Sequence, residues 1–199
     1  MEIAGQTFNY AQYMSRLQLL VEEGRTSGNN QSKNLIEFTA LNLVRMNRLN
    51  KTIQLTDDLK NAVSNISEKQ YWVLIAEFWC GDCAQNLPLI GKMAAISNGK
   101  IELKIIQRDE NPLWLEKYHT NGAKSIPKLI AFDKDGNELF IWGPRPQGAQ
   151  LILEDWKSNS NSKNWDDFEK ELHTWYAKDK STSIQNEFYN IFNQVQIKM

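Results

Sequence analysis

Two cysteines, Cys80 and Cys83, are separated by two residues and are the only cysteines among the 199 residues. They follow an apolar run, Tyr71 to Ala76, that has the length and composition of a buried strand. Directly after the pair, the pattern changes to that of a helix. A C-x-x-C motif at a strand-to-helix junction is typical of a dithiol that cycles with a disulfide. This pair therefore constrains the fold of the rest of the chain.

The composition limits the kind of protein that the chain can be. Apolar residues make up 41% and aromatic residues 11% of the sequence, enough for a sizeable core in one domain with extensions. The 23 basic and 24 acidic residues balance, so we expect neither a nucleic acid nor a membrane as partner. The first residues lack the basic start and apolar segment of a secretory signal. We therefore expect a cytoplasmic location, and in that reducing compartment a lone C-x-x-C motif is more typical of catalysis than of a structural site.

The hydrophobic pattern from about residue 71 to 142 predicts the element order β-α-β-α-β-β. One helix is expected to begin at Cys80-Gly81, and another at Asn111-Pro112, with proline in its first position, ending near His119. The last two strands are joined by a turn-rich segment that is typical of a hairpin. The predicted strands are 71–78, 101–105, 128–132 and 138–142.

Helical patterns flank this region on both sides. We predict an N-terminal helical extension (1–66), a core (67–145) and a C-terminal helical extension (146–199), packed as one globular unit. Thr56 and Asn164 are predicted N-caps, each followed by two aspartates in the first helical turn. A polar loop is predicted from Ser158 to Lys163. The aromatic stripes of these helices predict core packing rather than cofactor contacts.

The two cysteines are expected to have different roles. At a helix start, unpaired backbone N–H groups and the helix dipole favour a thiolate, so Cys80 is predicted to be exposed, readily ionised and the nucleophile. Cys83 lies about one turn further in, and is predicted to be the more buried, resolving thiol. Gly81 lets the backbone approach a partner closely. Asp82 adds negative charge, which we expect to oppose thiolate formation at Cys80 and to hold the pair towards the reduced state.

The active-site segment Trp79-Cys80-Gly81-Asp82-Cys83 resembles the W-C-G-P-C signature of the thioredoxin superfamily, with Asp82 in place of its proline. Pro88 matches the proline that kinks the active-site helix, and Ile126-Pro127 matches the cis-proline loop. The similarity covers about residues 70–145. Together with the C-G-D-C motif, the helical flanks resemble a bacterial thioredoxin-like subgroup that carries such extensions.

The resemblance implies an α/β thioredoxin-like fold, a central mixed β-sheet flanked by helices, with additional N-terminal and C-terminal helices. It implies a thiol–disulfide oxidoreductase, a cytosolic disulfide reductase. The sequence contains none of the common cofactor-binding motifs, so we expect no cofactor beyond the redox-active Cys80–Cys83 disulfide. A cis Ile126–Pro127 bond would lie beside Cys80, with the backbone of Ile126 pairing with substrate and Trp79 flanking the dithiol. The implied partners are protein or small-molecule disulfides and a reductant, such as thioredoxin reductase or a low-molecular-weight thiol.

Two positions depart from the family pattern. Where thioredoxins bury an acid and its lysine partner, this chain has Leu74 and Ile105. Losing both charges together is self-consistent, because a single buried charge would be costly. The usual proton acceptor for Cys83 is therefore missing. Glu77 is a candidate substitute, although strand alternation points it away from the side of Leu74; the alternative is that its carboxylate only hydrogen-bonds the loop.

Two other functions are compatible with the same residues. The first is a non-catalytic interaction protein with a vestigial dithiol, whose helical flanks form a partner surface. The second is a metal-binding module, for which C-x-x-C supplies half of a tetrahedral zinc site. Only His119 and His173 could add nitrogen ligands, and each is better interpreted as a surface or helix-end residue. No metal is therefore expected.

Overall fold

The computed structural model describes residues 2–159 and 164–198, and within them a four-stranded sheet is flanked by eight helices. Residues 160–163 of the predicted polar loop lie outside the described part. The strands are β1 (Gln70–Ala76), β2 (Ile101–Gln107), β3 (Lys128–Phe132) and β4 (Glu138–Trp142). The helices are α1 (Tyr10–Glu22), α2 (Lys33–Thr52), α3 (Asp57–Ser64), α4 (Gly81–Ile96), α5 (Pro112–Lys117), α6 (Gln147–Ser158), α7 (Trp165–Asp179) and α8 (Thr182–Lys198).

The sheet has the order β2-β1-β3-β4 and is mixed, which confirms the predicted fold class. Strand β1 pairs in parallel with β2 and antiparallel with β3, and β3 pairs antiparallel with β4. In the β1–β2 register, Leu74 lies directly opposite Ile105, and both are buried. The two positions without charge are therefore neighbours, as the sequence suggested. Because β1 is central and buried, its carboxyl end delivers the cysteine segment to the middle of the molecule.

Side-chain hydrogen bonds confirm the two predicted N-caps, Thr56 and Asn164. The Thr56 hydroxyl accepts a hydrogen bond from the backbone N–H of Leu59, and the Asn164 side chain accepts one from Asp167. At α5 the prediction is only partly right. Asn111 precedes Pro112 as expected, but its side chain bonds the backbone of Ala4 and Gln107 instead of capping the helix, which ends at Lys117.

Both extensions pack against the sheet and its helices. The backbone of Phe8 exchanges hydrogen bonds of 2.9 and 2.7 Å with Ile105 and so covers the β2 edge. Phe188 and Phe192 of α8 stack on the indole of Trp72 in β1. One hydrophobic cluster thus runs from Phe8 to Phe192. The division into the segments 1–66, 67–145 and 146–199 stays a prediction.

Helices α6 and α7 form a second hydrophobic cluster. Its buried members include Ala149, Phe168 and Leu172, which confirms that these stripes pack as core. Trp165 is an exception, since it is 51% exposed. Among the described helices, none combines the length and hydropathy that crossing a membrane requires.

Helix α1 contacts the active-site helix α4 at Gly91. A Cβ atom built there would lie 2.5 Å from the Tyr10 ring, whose hydroxyl is held by Asn50 of α2 at 2.8 Å. We expect Gly91→Ala to lower the free energy of unfolding by about 1–2 kcal/mol, because overpacking outweighs the gain in helix propensity. Urea denaturation measures this change. In the Tyr10→Ala background the same substitution should stabilise the chain; a Gly91→Ala chain as stable as the parent would contradict the packing of α1 on α4.

Candidate active site

The two cysteines meet at the first turn of α4. Cys80 occupies the N-cap position, and its sulfur accepts a hydrogen bond of 3.2 Å from the backbone N–H of Cys83. The Cys80 thiol also lies 3.5 Å from the carbonyl oxygen of Ile126, to which it donates. Both cysteines are free thiols. The helix start predicted at Cys80-Gly81 is therefore confirmed, and it places the two sulfur-bearing residues side by side.

The prediction that Cys80 is exposed is wrong, since only 7% of the residue is accessible. Its sulfur lies at a cavity of about 350 Å³ to which α2 and α7 both contribute side chains, among them Phe38 and Phe168. The helical extensions therefore cover a thiol that a minimal fold would leave at the surface. Cys83 is 1% exposed, and burial raises its pKa well above the usual value, with further increases from the hydrogen bond and charge of Cys80.

Asp82, which stands between the cysteines, forms a buried ion pair with Arg145. The side chains are 8% and 10% exposed. The guanidinium donates from two nitrogens to one carboxylate oxygen, at 2.5 and 3.0 Å, and the Tyr176 hydroxyl donates to the other oxygen at 2.6 Å. Asn86, one turn along α4, donates to the same hydroxyl at 3.1 Å. This four-residue group, the Asp82 cluster, joins α4 to α7 and to the segment before α6.

Charge in the Asp82 cluster is balanced within the protein. Burial alone would lower the pKa of Arg145, but the carboxylate of Asp82 and the negative charge of an ionised Cys80 raise it. Asp82 also contributes to the raised pKa of Cys83. The expected opposition of Asp82 to a Cys80 thiolate stays a prediction. Nothing in the sequence pattern paired Asp82 with Arg145 or Tyr176, which lie 63 and 94 residues away.

Glu77 is buried, and its carboxylate is used by the surrounding loops. It accepts hydrogen bonds from the Ser27 hydroxyl and, at 3.0 Å, from the backbone N–H of Asp109. Burial raises its pKa, and these hydrogen bonds oppose the rise. Neither partner is a cysteine, so the geometry matches the loop-bonding alternative. A role for Glu77 as proton acceptor stays a prediction.

The predicted substrate-binding segment lies beside the dithiol. The Ile126–Pro127 peptide bond is cis, as the family resemblance implied. Gly143, with a φ of 111°, packs so tightly on the Pro127 carbonyl that a side chain would collide with it. Trp79 is half-buried, and the Arg108 guanidinium lies 4.8 Å from the centre of its ring. Ile126 and Trp79 both line the cavity at Cys80.

His173 is a site residue that the sequence did not predict. It is half-buried and lies within α7 rather than at a helix end, and it packs over Gly81, where an added Cβ would lie 3.1 Å from its Cε1 atom. Its Nδ1 atom lies 3.3 Å from Nε2 of Gln85. Gly81 therefore makes room for a ring of the same chain. His119 is exposed, as expected. Within residues 2–159 and 164–198, no three histidine, cysteine or acidic side chains form a candidate metal site.

Comparisons with known proteins agree on one family. The thioredoxin family profile matches residues 28–157, more than half of the chain. Thioredoxin from Staphylococcus aureus is 39% identical to this chain over 61 residues. The match covers 31% of this chain and 55% of the relative, so the chain spans about half the length of the curated relatives that it matches.

Two solved structures have a similar fold. A Pseudomonas aeruginosa protein of unknown function has a TM-score of 0.60 at 18% identity, covering 94% of this chain and 98% of that one. An HIV epitope scaffold has a TM-score of 0.56 at 19% identity, covering 89% and 97%. The last two likenesses concern the fold alone.

The Asp82–Arg145 pair yields a stability prediction. Asp82→Asn leaves the buried guanidinium without a counter-charge, so we expect a loss of about 3–5 kcal/mol in the free energy of unfolding. The double variant Asp82→Asn/Arg145→Gln should lose clearly less than the sum of the single variants. Urea denaturation of all four chains measures the coupling. Glu37→Gln, which removes an exposed ion pair with Lys33, is the control and should cost less than about 1 kcal/mol. If the losses at residues 82 and 145 are additive in the double variant, the two side chains are not paired.

His173 yields a pH prediction. Burial and the positive charge of Arg45 lower its pKa to about 4, against about 6.5 for a free imidazole. The unfolded chain therefore binds the proton more tightly, and the free energy of unfolding should fall by about 3 kcal/mol from this residue as the pH drops from about 6.5 to 4. Proton NMR titration of a His119→Gln chain reports the single remaining imidazole. A titration midpoint near 6.5 would show that His173 is not packed over Gly81. In the His173→Gln chain, the free energy of unfolding should lose the corresponding part of its pH dependence.

Proposed function

Because the chain belongs to the thioredoxin family, we propose that it is a thiol–disulfide oxidoreductase that reduces disulfides with the Cys80/Cys83 dithiol. The supporting observation is the 3.2 Å contact between the Cys80 sulfur and the backbone N–H of Cys83 at the start of α4. This N–H group and the helix dipole stabilise a thiolate on Cys80. The thiol that attacks and the thiol that resolves thus share one helical turn.

The reaction proceeds in two exchanges. The Cys80 thiolate attacks one sulfur of the substrate disulfide, the substrate S–S bond breaks, and the released thiolate takes up the proton that Cys80 lost. Cys83 then attacks the Cys80 sulfur of the mixed disulfide, and the second substrate thiol leaves with the proton of Cys83. The substrate gains two electrons, and the protein ends as the Cys80–Cys83 disulfide. A dithiol reductant reverses this oxidation by the same exchange.

The surrounding groups have supporting roles in this proposal. The raised pKa of Cys83 keeps it protonated until the mixed disulfide forms, which leaves Cys80 as the first nucleophile. An ionised Cys80 is one of the negative charges that raise the pKa of Arg145. Trp79 and Ile126 would contact the substrate. No cofactor beyond the dithiol is proposed.

The setting of the reaction is also a proposal. We place the protein in the cytoplasm, where a thiol system keeps such a dithiol reduced. The substrates would be protein or small-molecule disulfides, and the reductant thioredoxin reductase or a low-molecular-weight thiol. The S. aureus relatives are named thioredoxins, which supports this choice of partners.

One observation favours a second candidate function. Cys80 is only 7% exposed, as expected if the dithiol were vestigial and the chain a non-catalytic interaction protein. The cavity that reaches Cys80 favours the enzyme, because it leads from outside to the sulfur. Activity measurements separate the two.

The function predicts catalysed reduction of insulin or of bis(2-hydroxyethyl) disulfide with dithiothreitol as the electron source. Cys80→Ser should return both rates to background, since the attacking sulfur is gone. Cys83→Ser should accumulate a mixed disulfide on Cys80, visible by mass spectrometry as one added substrate half. Circular dichroism checks that Cys80→Ser and Cys83→Ser are folded, so that a lost activity is not caused by unfolding. If the parent chain accelerates neither reaction and Cys83→Ser traps no mixed disulfide, the dithiol is vestigial.

A further inference from the structure

The cavity at Cys80 has properties that bear on its substrate, provided that the proposed function holds. Its volume is about 350 Å³, in the range of sites for small molecules, roughly 300–1,000 Å³. Side chains of α2 and α7 contribute to the lining along with the active-site segment and the cis-proline loop. Because Cys80 is 7% exposed, a substrate disulfide has to enter this cavity to meet the sulfur.

Positive charge predominates among the described residues that line the cavity. Four are cations, Arg45, Arg108, Lys124 and Arg145, and two are carboxylates, Asp82 and Glu169. His173 adds no charge near neutral pH, because its pKa is lowered to about 4. The lining therefore carries an excess of two positive charges. The whole chain has a net charge of −1, so this excess is a local property of the site.

Two of these cations remain available to a ligand. Arg145 is used by Asp82, and Arg45 is half-buried and donates to Asn42. Arg108 and Lys124, in contrast, form ion pairs with Asp109 and Glu116, which are exposed and do not line the cavity, at 2.8 and 3.5 Å. The guanidinium of Arg108, whose side chain is 29% exposed, also lies over the ring of Trp79 in the cavity lining. Ion pairs with exposed carboxylates contribute little energy, so both cations can turn to an incoming anion.

The position of these two cations relative to the sulfur supports a substrate role. The Arg108 guanidinium lies over the ring of Trp79, the residue before Cys80. Lys124 stands two residues before Ile126, whose carbonyl accepts from the Cys80 thiol. The apolar part of the lining includes Phe38, Phe168 and Leu172. A molecule lying across Cys80 thus meets cations near the sulfur and hydrocarbon from α2 and α7.

We infer that the preferred substrate is a low-molecular-weight disulfide whose arms end in carboxylates, held by Arg108 and Lys124 while its S–S bond meets Cys80. One such disulfide takes two electrons and two protons from the Cys80/Cys83 dithiol. It leaves as two carboxylate-bearing thiols, and the protein is left with the Cys80–Cys83 disulfide. The cationic cavity raises the local concentration of the anion, an effect of about 10-fold or more in charged clefts.

Three disulfides of similar size separate charge from shape: 3,3′-dithiodipropionate, a dianion; bis(2-hydroxyethyl) disulfide, neutral; and cystamine, a dication. For each disulfide, the second-order rate constant for reduction by the protein is divided by the rate constant for its reaction with free 2-mercaptoethanol. This normalised rate no longer depends on the intrinsic reactivity of the disulfide. We expect the normalised rate of the dianion to exceed that of the neutral compound about 10-fold, with the dication slowest. The preference should shrink in high salt.

The double variant Arg108→Gln/Lys124→Gln should bring the ratio of the normalised rates of the dianion and the neutral compound close to one. Lys104→Gln/Lys134→Gln is the matched control. It also removes two cations from exposed ion pairs, at residues outside the cavity at Cys80, and it should leave the ratio unchanged.

Two outcomes overturn the inference and leave the proposed function intact: equal normalised rates for the three compounds, or the same loss of preference in both double variants. Insulin with a higher normalised rate than the dianion would also overturn it, because a large substrate would then be preferred. A chain that reduces none of these disulfides overturns the proposed function itself. In that case no disulfide is reduced above background. Failure of the inference alone changes only the ratio of the rates of the dianion and the neutral compound.

Discussion

The buried ion pair between Asp82 and Arg145 links the parts of this molecule on which the site depends. A carboxylate between two cysteines would repel an adjacent thiolate if its charge stayed unbalanced, and a buried charge requires a partner. Arg145 supplies the counter-charge, and Tyr176 of α7 occupies the remaining oxygen. The C-terminal extension is therefore held to the active-site helix by the residue that replaces the signature proline.

The helices that cover the dithiol restrict access to it and leave its position at the start of α4 unchanged. Cys80 keeps its place at the helix start, with the N–H group of Cys83 directed at its sulfur. The α7 side chains, His173 over Gly81 among them, make access to that sulfur depend on a cavity of about 350 Å³. The proposed preference for small anionic disulfides follows from the limited size of this cavity and from the cations that line it.

Several features could be predicted from local sequence. The strand β1 and the start of α4 follow from a change in hydrophobic period, and the caps at Thr56 and Asn164 follow from residue type and the aspartates after them. The facing apolar pair Leu74 and Ile105 could be predicted because the parallel register of the family is known. Exposure of Cys80 was predicted wrongly, since no local pattern shows which distant helix lies above it.

The amino-acid sequence by itself determined the order of strands and helices, the dithiol at the start of α4 and the family. Each of these depends on neighbours within one or two helical turns, or on a motif of contiguous residues. Only the tertiary structure decided that Asp82 is neutralised by Arg145, that His173 lies over Gly81 and that Cys80 is reached through a cationic cavity. The first two contacts join residues 63 and 92 positions apart. All three features depend on how apolar helix faces pack together, a non-directional force that a linear pattern does not encode.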